Sequence, residues 1–139
     1  MDTIIIAEKL ESLRKCVLRI EEKTPASADD LLHDIDLQDI IAFNLSRAVQ
    51  LSVDIGAHVV SCLALNAPNT MAMVFDTLTQ ANIIDTITAI SLKKAVGFRN
   101  IAVHNYEKIN WLIVHAIAQT KVTDFKQYAK QIYSYIELN

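Results

Sequence analysis

Four side chains able to do chemistry fall within residues 97–106, GFRNIAVHNY: Arg99, Asn100, His104 and Tyr106. Together they suit cleavage of RNA without a metal. An imidazole, with a free pKa of about 6.5, can take the proton of a 2′-hydroxyl. A guanidinium can grip the scissile phosphate through two parallel hydrogen bonds and stabilise the charge that builds up in the transition state. An asparagine can orient either group, and a tyrosine can stack on a base or donate a hydrogen bond. The expected products are a 2′,3′-cyclic phosphate and a 5′-hydroxyl. A helix end bearing Arg, His and Tyr is also common in proteins without activity. Spacing alone therefore leaves a structural network, a surface patch and a catalytic site all open.

Helix geometry constrains the choice. Residues five apart on an ideal helix differ by about 140° in direction and about 7.5 Å along the axis. Arg99 and His104 therefore do not share a face, whereas Asn100 and His104 do. Two arrangements could bring Arg99 and His104 onto one phosphate. The helix could end near His104 and let the imidazole turn back, or two copies of the stretch could meet across a dimer axis.

Competing chemistries have weaker support. The sequence has neither a CxxC pair nor HExxH, so no metal site is expected. His58 and Cys62 are four apart but lack a third ligand. Asp54 and His58 have the same spacing and could simply pair. Neither GxGxxG nor GxxxxGK[ST] occurs, so no phosphate cradle of those types and no cofactor is expected.

The elements that must position these residues are helices. The chain has 139 residues, of which only two are Gly and two Pro. An all-β chain of this size would need many more turn residues. Ile6, Leu10, Leu13, Val17 and Ile20 mark an amphipathic first helix that breaks at Pro25 and Ser27, and Asp29 to His33 could form a helical turn. Asp36 is the expected N-cap of a second long helix that reaches about Leu65. Its apolar stripe is Leu37, Ile41, Leu45, Ala48, Leu51, Ile55, Val59 and Cys62, with Gly56 as a close-packing point. Thr70 can cap a short third helix that Asn82 terminates. Asp85 can cap a fourth, which carries Ile87, Ile90, Ala95, Phe98 and Ala102 into the motif. Asn110 can cap a fifth, striped by Trp111, Val114, Ala118, Val122, Phe125, Ala129, Ile132 and Ile136. The expected fold is all-α: an up-down bundle of about five helices forming one domain over residues 1–139.

The formal net charge is −3, which argues against non-specific nucleic-acid binding by the whole surface. Locally the sign reverses. Lys93, Lys94, Arg99 and Lys108 face only Glu107 in residues 91–108, and the three lysines could guide RNA. Asp29, Asp30, Asp34, Asp36 and Asp39 crowd a segment read as a solvated face. The acidic N-terminus MDTIIIAEKL does not resemble a signal peptide, so a cytoplasmic protein with two reduced thiols, Cys16 and Cys62, is expected. The most apolar run, residues 48–65, contains Asp54, whose burial at a bilayer centre would cost about 2.5–3.5 kcal/mol. It reads as a buried helix rather than a membrane span.

The motif Arg99-Asn-Ile-Ala-Val-His104-Asn-Tyr106 resembles the Arg-x4-His-x-Tyr signature of the HEPN superfamily, specifically the HepT-like toxins paired with a minimal nucleotidyltransferase antitoxin. Asn100 and the preceding Gly97-Phe98 also match, as does DLQDIIAFNLSRAVQLSVDIGAHVV, residues 36–60. Asn110 stands where an acidic cap is usual, which alters the cap and not the chemistry. The resemblance implies a helical homodimer with the active cleft at its interface, acting as a metal-independent endoribonuclease and able to sit in a larger complex with the antitoxin. Arg99 and His104 would be catalytic, Asn100 supporting, and Tyr106 the site at which the antitoxin attaches AMP. Added AMP would place bulk and negative charge beside Arg99 and His104 and exclude the RNA phosphate. A helical module that only docks a nucleotidyltransferase is the alternative.

Overall fold

A computed structural model describes residues 1–138. The helices are α1 (Thr3–Lys23), α2 (Ala28–Leu32), α3 (Ile35–Ser61), α4 (Met71–Gln80), α5 (Thr86–His104) and α6 (Trp111–Leu138), with one 3-10 turn over Tyr106–Lys108. No strand occurs among the described residues.

Most of the helix ends follow from local capping. Asp2, Thr70 and Asp85 accept backbone amides at the starts of α1, α4 and α5. Asn110 Oδ1 accepts from Leu112 and Ile113 at the start of α6. Helix α4 ends at Asn82, whose φ of 59° is left-handed. There the Asn82 and Ile83 amides turn back onto the Thr79 and Leu78 carbonyls.

Long-range contacts set the helix directions. The Asp2 amide donates to His58 Nε2, so α1 and α3 run antiparallel. His115 at the start of α6 bonds the Pro25 carbonyl beyond α1, and Lys126 pairs with Glu21. Asp85 at the start of α5 meets Gln131 late in α6. Helices α1 and α5 therefore oppose α3 and α6 in an up-down four-helix frame. Helix α4 packs against α3 and α5, and α2 packs against α3 and α6.

The inner faces supply a core that includes Ile6, Leu13, Ile41, Leu45, Ile55, Phe75 and Phe125. Tyr128 is fully enclosed, donates to the Ser52 carbonyl at 2.7 Å and meets Phe75 edge-to-face at 5.7 Å. Gly56 is the expected close-packing point: a Cβ there would lie 2.5 Å from Val74 Cγ1.

Several sequence expectations need correction. The helical turn near Asp29 to His33 begins one residue earlier, as α2 capped by Ser27, and brings the expected bundle of about five helices to six among the described residues. The cap of α3 is Asp34, which accepts the Leu37 amide at 3.1 Å, and Asp36 lies in the first turn. Helix α3 ends at Ser61 and not near Leu65, as the Cys62 and Leu63 amides tighten onto the Val59 and Val60 carbonyls. Cys62 is exposed rather than part of the inner stripe. Asp54 bonds Gln50 and Lys9 instead of His58. On α5, Ile87 and Ile90 are 78% and 49% exposed, and the buried face is Thr88, Ala89, Ser91, Leu92, Ala95, Val96 and Phe98. This helix is apolar on two faces, so periodicity did not tell inside from outside.

Candidate active site

The site lies where α5 ends, α6 begins and α3 starts. The last two turns of α5 carry Arg99, Asn100 and His104. The helix stops at His104 because Asn105 leaves helical geometry, with φ −154° and ψ 52°, while its amide still caps the Ile101 carbonyl at 2.8 Å. The chain then makes one 3-10 turn, which holds Tyr106, before Asn110 starts α6. Helix α5 therefore ends at His104, but the imidazole makes no hydrogen bond with the described residues that would turn it back toward Arg99.

Arg99 and His104 are left available. The Arg99 guanidinium makes no ion pair with the described residues, and its one recorded bond, Nη1 to Asn100 Oδ1, is long at 3.4 Å. His104 is exposed, with no side-chain hydrogen bond or ion pair to the described residues. Asn100 lies beside the guanidinium, not against the imidazole.

Tyr106 is held more firmly. It is 40% exposed. Its ring meets Trp111 edge-to-face at 5.8 Å, and its hydroxyl donates to Asp39 Oδ1 at 2.5 Å. Burial first, then the hydrogen bond to and charge of Asp39, push its phenol up to about 12. Asp39 belonged to the acidic run read as a solvated face. Nothing in the sequence pattern tied it to a residue 67 positions later.

The lysines divide. Lys93 is neutralised by Asp76 on α4 at 2.9 Å. Lys94 and Lys108 make no ion pair with the described residues and line one groove of about 310 Å³ together with Gly97, Ile101 and Ile113. Outward from α5, Ile87, Ile90, Lys94, Gly97 and Ile101 recur at spacings of three and four, all exposed. A Cβ added at Gly97 would meet nothing within 4 Å. No group of three or more His, Cys, Asp or Glu is placed to hold a metal among the described residues. No helix among them is long and apolar enough to cross a membrane.

Known proteins resemble the chain in sequence and in fold. The family model for ribonuclease HepT-like proteins matches residues 13–132. An mRNA nuclease HepT of Shewanella oneidensis is 34% identical over 124 residues, which covers 89% of this chain and 92% of that protein. A tRNA nuclease HepT of Aphanizomenon flos-aquae is 26% identical over 136 residues, covering 98% of this chain and 92% of that protein. A solved structure of a tri-AMPylated Shewanella oneidensis HEPN toxin in complex with an MNT antitoxin superposes with a TM-score of 0.86 at 33% identity. That match spans 94% of this chain and 97% of the solved one.

Proposed function

The chain belongs to the ribonuclease HepT-like family, and on that premise we propose that it is the toxin of a toxin–antitoxin pair, an endoribonuclease that cleaves RNA without a metal. Arg99 binds and neutralises the scissile phosphate. His104 takes the 2′-hydroxyl proton or protonates the leaving 5′-oxygen, and Asn100 steadies the guanidinium. The observation that carries this reading is the pairing of a guanidinium that makes no ion pair with the described residues and an exposed imidazole at the open end of one helix. An arginine committed to structure would normally have a carboxylate partner.

The working unit is a homodimer. Residues five apart on a helix diverge by about 140°, so one chain supplies Arg99 and its partner supplies His104 to the same phosphate. The outward stripe of Ile87, Ile90, Gly97 and Ile101 supports this, since an apolar face with a small residue lets a second α5 approach closely. Lys94 and Lys108 border that face and draw RNA toward the cleft, while Lys93, already paired with Asp76, contributes less.

Silencing comes from a nucleotidyltransferase antitoxin that transfers AMP to Tyr106. Tyr106 is an exposed residue, two positions from His104. A phosphodiester there sets negative charge beside the phosphate-binding side chains. The direct test is incubation of the purified dimer with RNA in EDTA. Wild type should cleave and leave cyclic phosphate ends. His104→Ala and Arg99→Ala should each lose about a hundredfold or more in rate. Undiminished cleavage by His104→Ala would sink the assignment, and equal growth of cells expressing wild type or Arg99→Ala would favour a docking module.

A further inference from the structure

The Tyr106 hydroxyl does not point freely into solvent; it donates to a carboxylate from another helix. We propose that Asp39 is the proton acceptor of the modification reaction, positioned by α3 to activate Tyr106 for attack on ATP. The inference rests on the reading that Tyr106 receives AMP.

Three observations carry it. The bond from Tyr106 to Asp39 Oδ1 is direct, at 2.5 Å. Asp39 makes no ion pair with the described residues, so no cation competes for its charge. Both side chains are exposed, which lets a nucleotide reach the oxygen while Trp111 fixes the ring. Burial first, and the neighbouring carboxylate with it, disfavour a preformed phenolate, so the phenol is held protonated. Activation must then occur during the transfer itself. The Tyr106 oxygen forms a bond to the α-phosphorus of ATP. The bond from that phosphorus to the bridging oxygen of the β-phosphate breaks, and pyrophosphate leaves. The hydroxyl proton passes to Asp39 Oδ1 and from there to water.

The test follows AMP incorporation by intact mass, with the full chain, its cognate nucleotidyltransferase and ATP. Peptide mapping of the wild type first locates the AMP. If it lies elsewhere, or if Tyr106→Phe is modified as fast as wild type, the Tyr106 assignment itself fails. With Tyr106 as the acceptor, Asp39→Asn keeps the hydrogen-bond acceptor but cannot take the proton. Its kcat should fall by about a hundredfold or more, with KM for the toxin little changed, and Asp39→Glu should restore most of the rate. An unchanged kcat in Asp39→Asn overturns the proposal, as does a loss confined to KM, which would make Asp39 a docking contact for the antitoxin. Failure of Asp39→Glu to recover any of a lost kcat would likewise overturn it.

Discussion

Gly56 on α3 lies directly beneath Tyr128 of α6: a Cβ at position 56 would be 2.9 Å from the tyrosine hydroxyl and 2.5 Å from Val74 Cγ1. The absence of a side chain lets α3, α4 and α6 close together at this point, and the same hydroxyl donates to the Ser52 carbonyl one turn earlier. Gly56→Ala should gain about 1 kcal/mol of helix propensity and lose about 1–3 kcal/mol to overpacking. Displacing the buried hydroxyl costs about 1 kcal/mol more. The expected outcome is a net destabilisation of about 1–3 kcal/mol, read as a lower urea midpoint with an unchanged slope.

The contact between Tyr106 and Asp39 should be visible in an alkaline titration. Folding raises the Tyr106 phenol from its ordinary value of 10 to about 12. The fold therefore favours the protonated form. The stability this contributes is complete below about pH 10 and is lost as pH rises toward 12. Asp39→Asn removes the carboxylate's share of the effect and should bring the Tyr106 titration to lower pH. Near-ultraviolet difference absorbance between each protein and its Tyr106→Phe counterpart isolates that step. Coincident curves would mean that Asp39 has no electrostatic hold on the phenol.

At the other end of α5, Asp85 accepts the Thr88 amide at 2.7 Å and is clasped by Gln131 from α6. The Thr88 backbone hydrogen bond is the main reason that its carboxyl sits below the usual carboxylate range. A depressed folded pKa contributes stability above the unfolded value of about 3.9 and loses it as pH falls through the folded value. Asp85→Ala should cost about 1 kcal/mol at neutral pH through the lost cap. Asp85→Asn should keep most of the cap and soften the acid side of the stability curve. Thermal melts of the three proteins from neutral pH down into the range below about pH 4 would show this.

Local signals made most of the fold legible. Scarce Gly and Pro, together with cap residues at Thr70, Asp85 and Asn110, place three helix starts where the structure has them. The stop at Asn82 was equally readable, because few other residue types accept a left-handed turn. The start of α3 was placed two residues late: Asp36 is also a good capping residue type, but Asp34 is the one that accepts the Leu37 amide. The inward face of α5 was not legible, because apolar residues populate two of its faces, one toward the core and one outward. The site followed a similar pattern. The motif residues could be named from sequence, but the bond between Tyr106 and Asp39 depends on α5 opposing α3, a tertiary fact with no periodic signature.

That outward face of α5 yields the last prediction. Ile101 is 47% exposed and Ile113, beside it along the groove, is 56% exposed. Neither contributes to the buried core, so a charge at either position should leave the monomer folded. Buried in a dimer interface, the same charge would be desolvated without a partner. Ile101→Asp should therefore convert the dimer to monomer in sedimentation velocity while preserving the helical circular-dichroism spectrum and the melting temperature of the isolated chain. RNA cleavage should fall with the dimer, although Arg99 and His104 remain in place. Mixing an Arg99→Ala chain with a His104→Ala chain gives the complementary result. If each half-site draws Arg99 from one protomer and His104 from the other, the mixed dimer regains one intact site and part of the activity. If each site lies within one chain, every mixed dimer stays inactive.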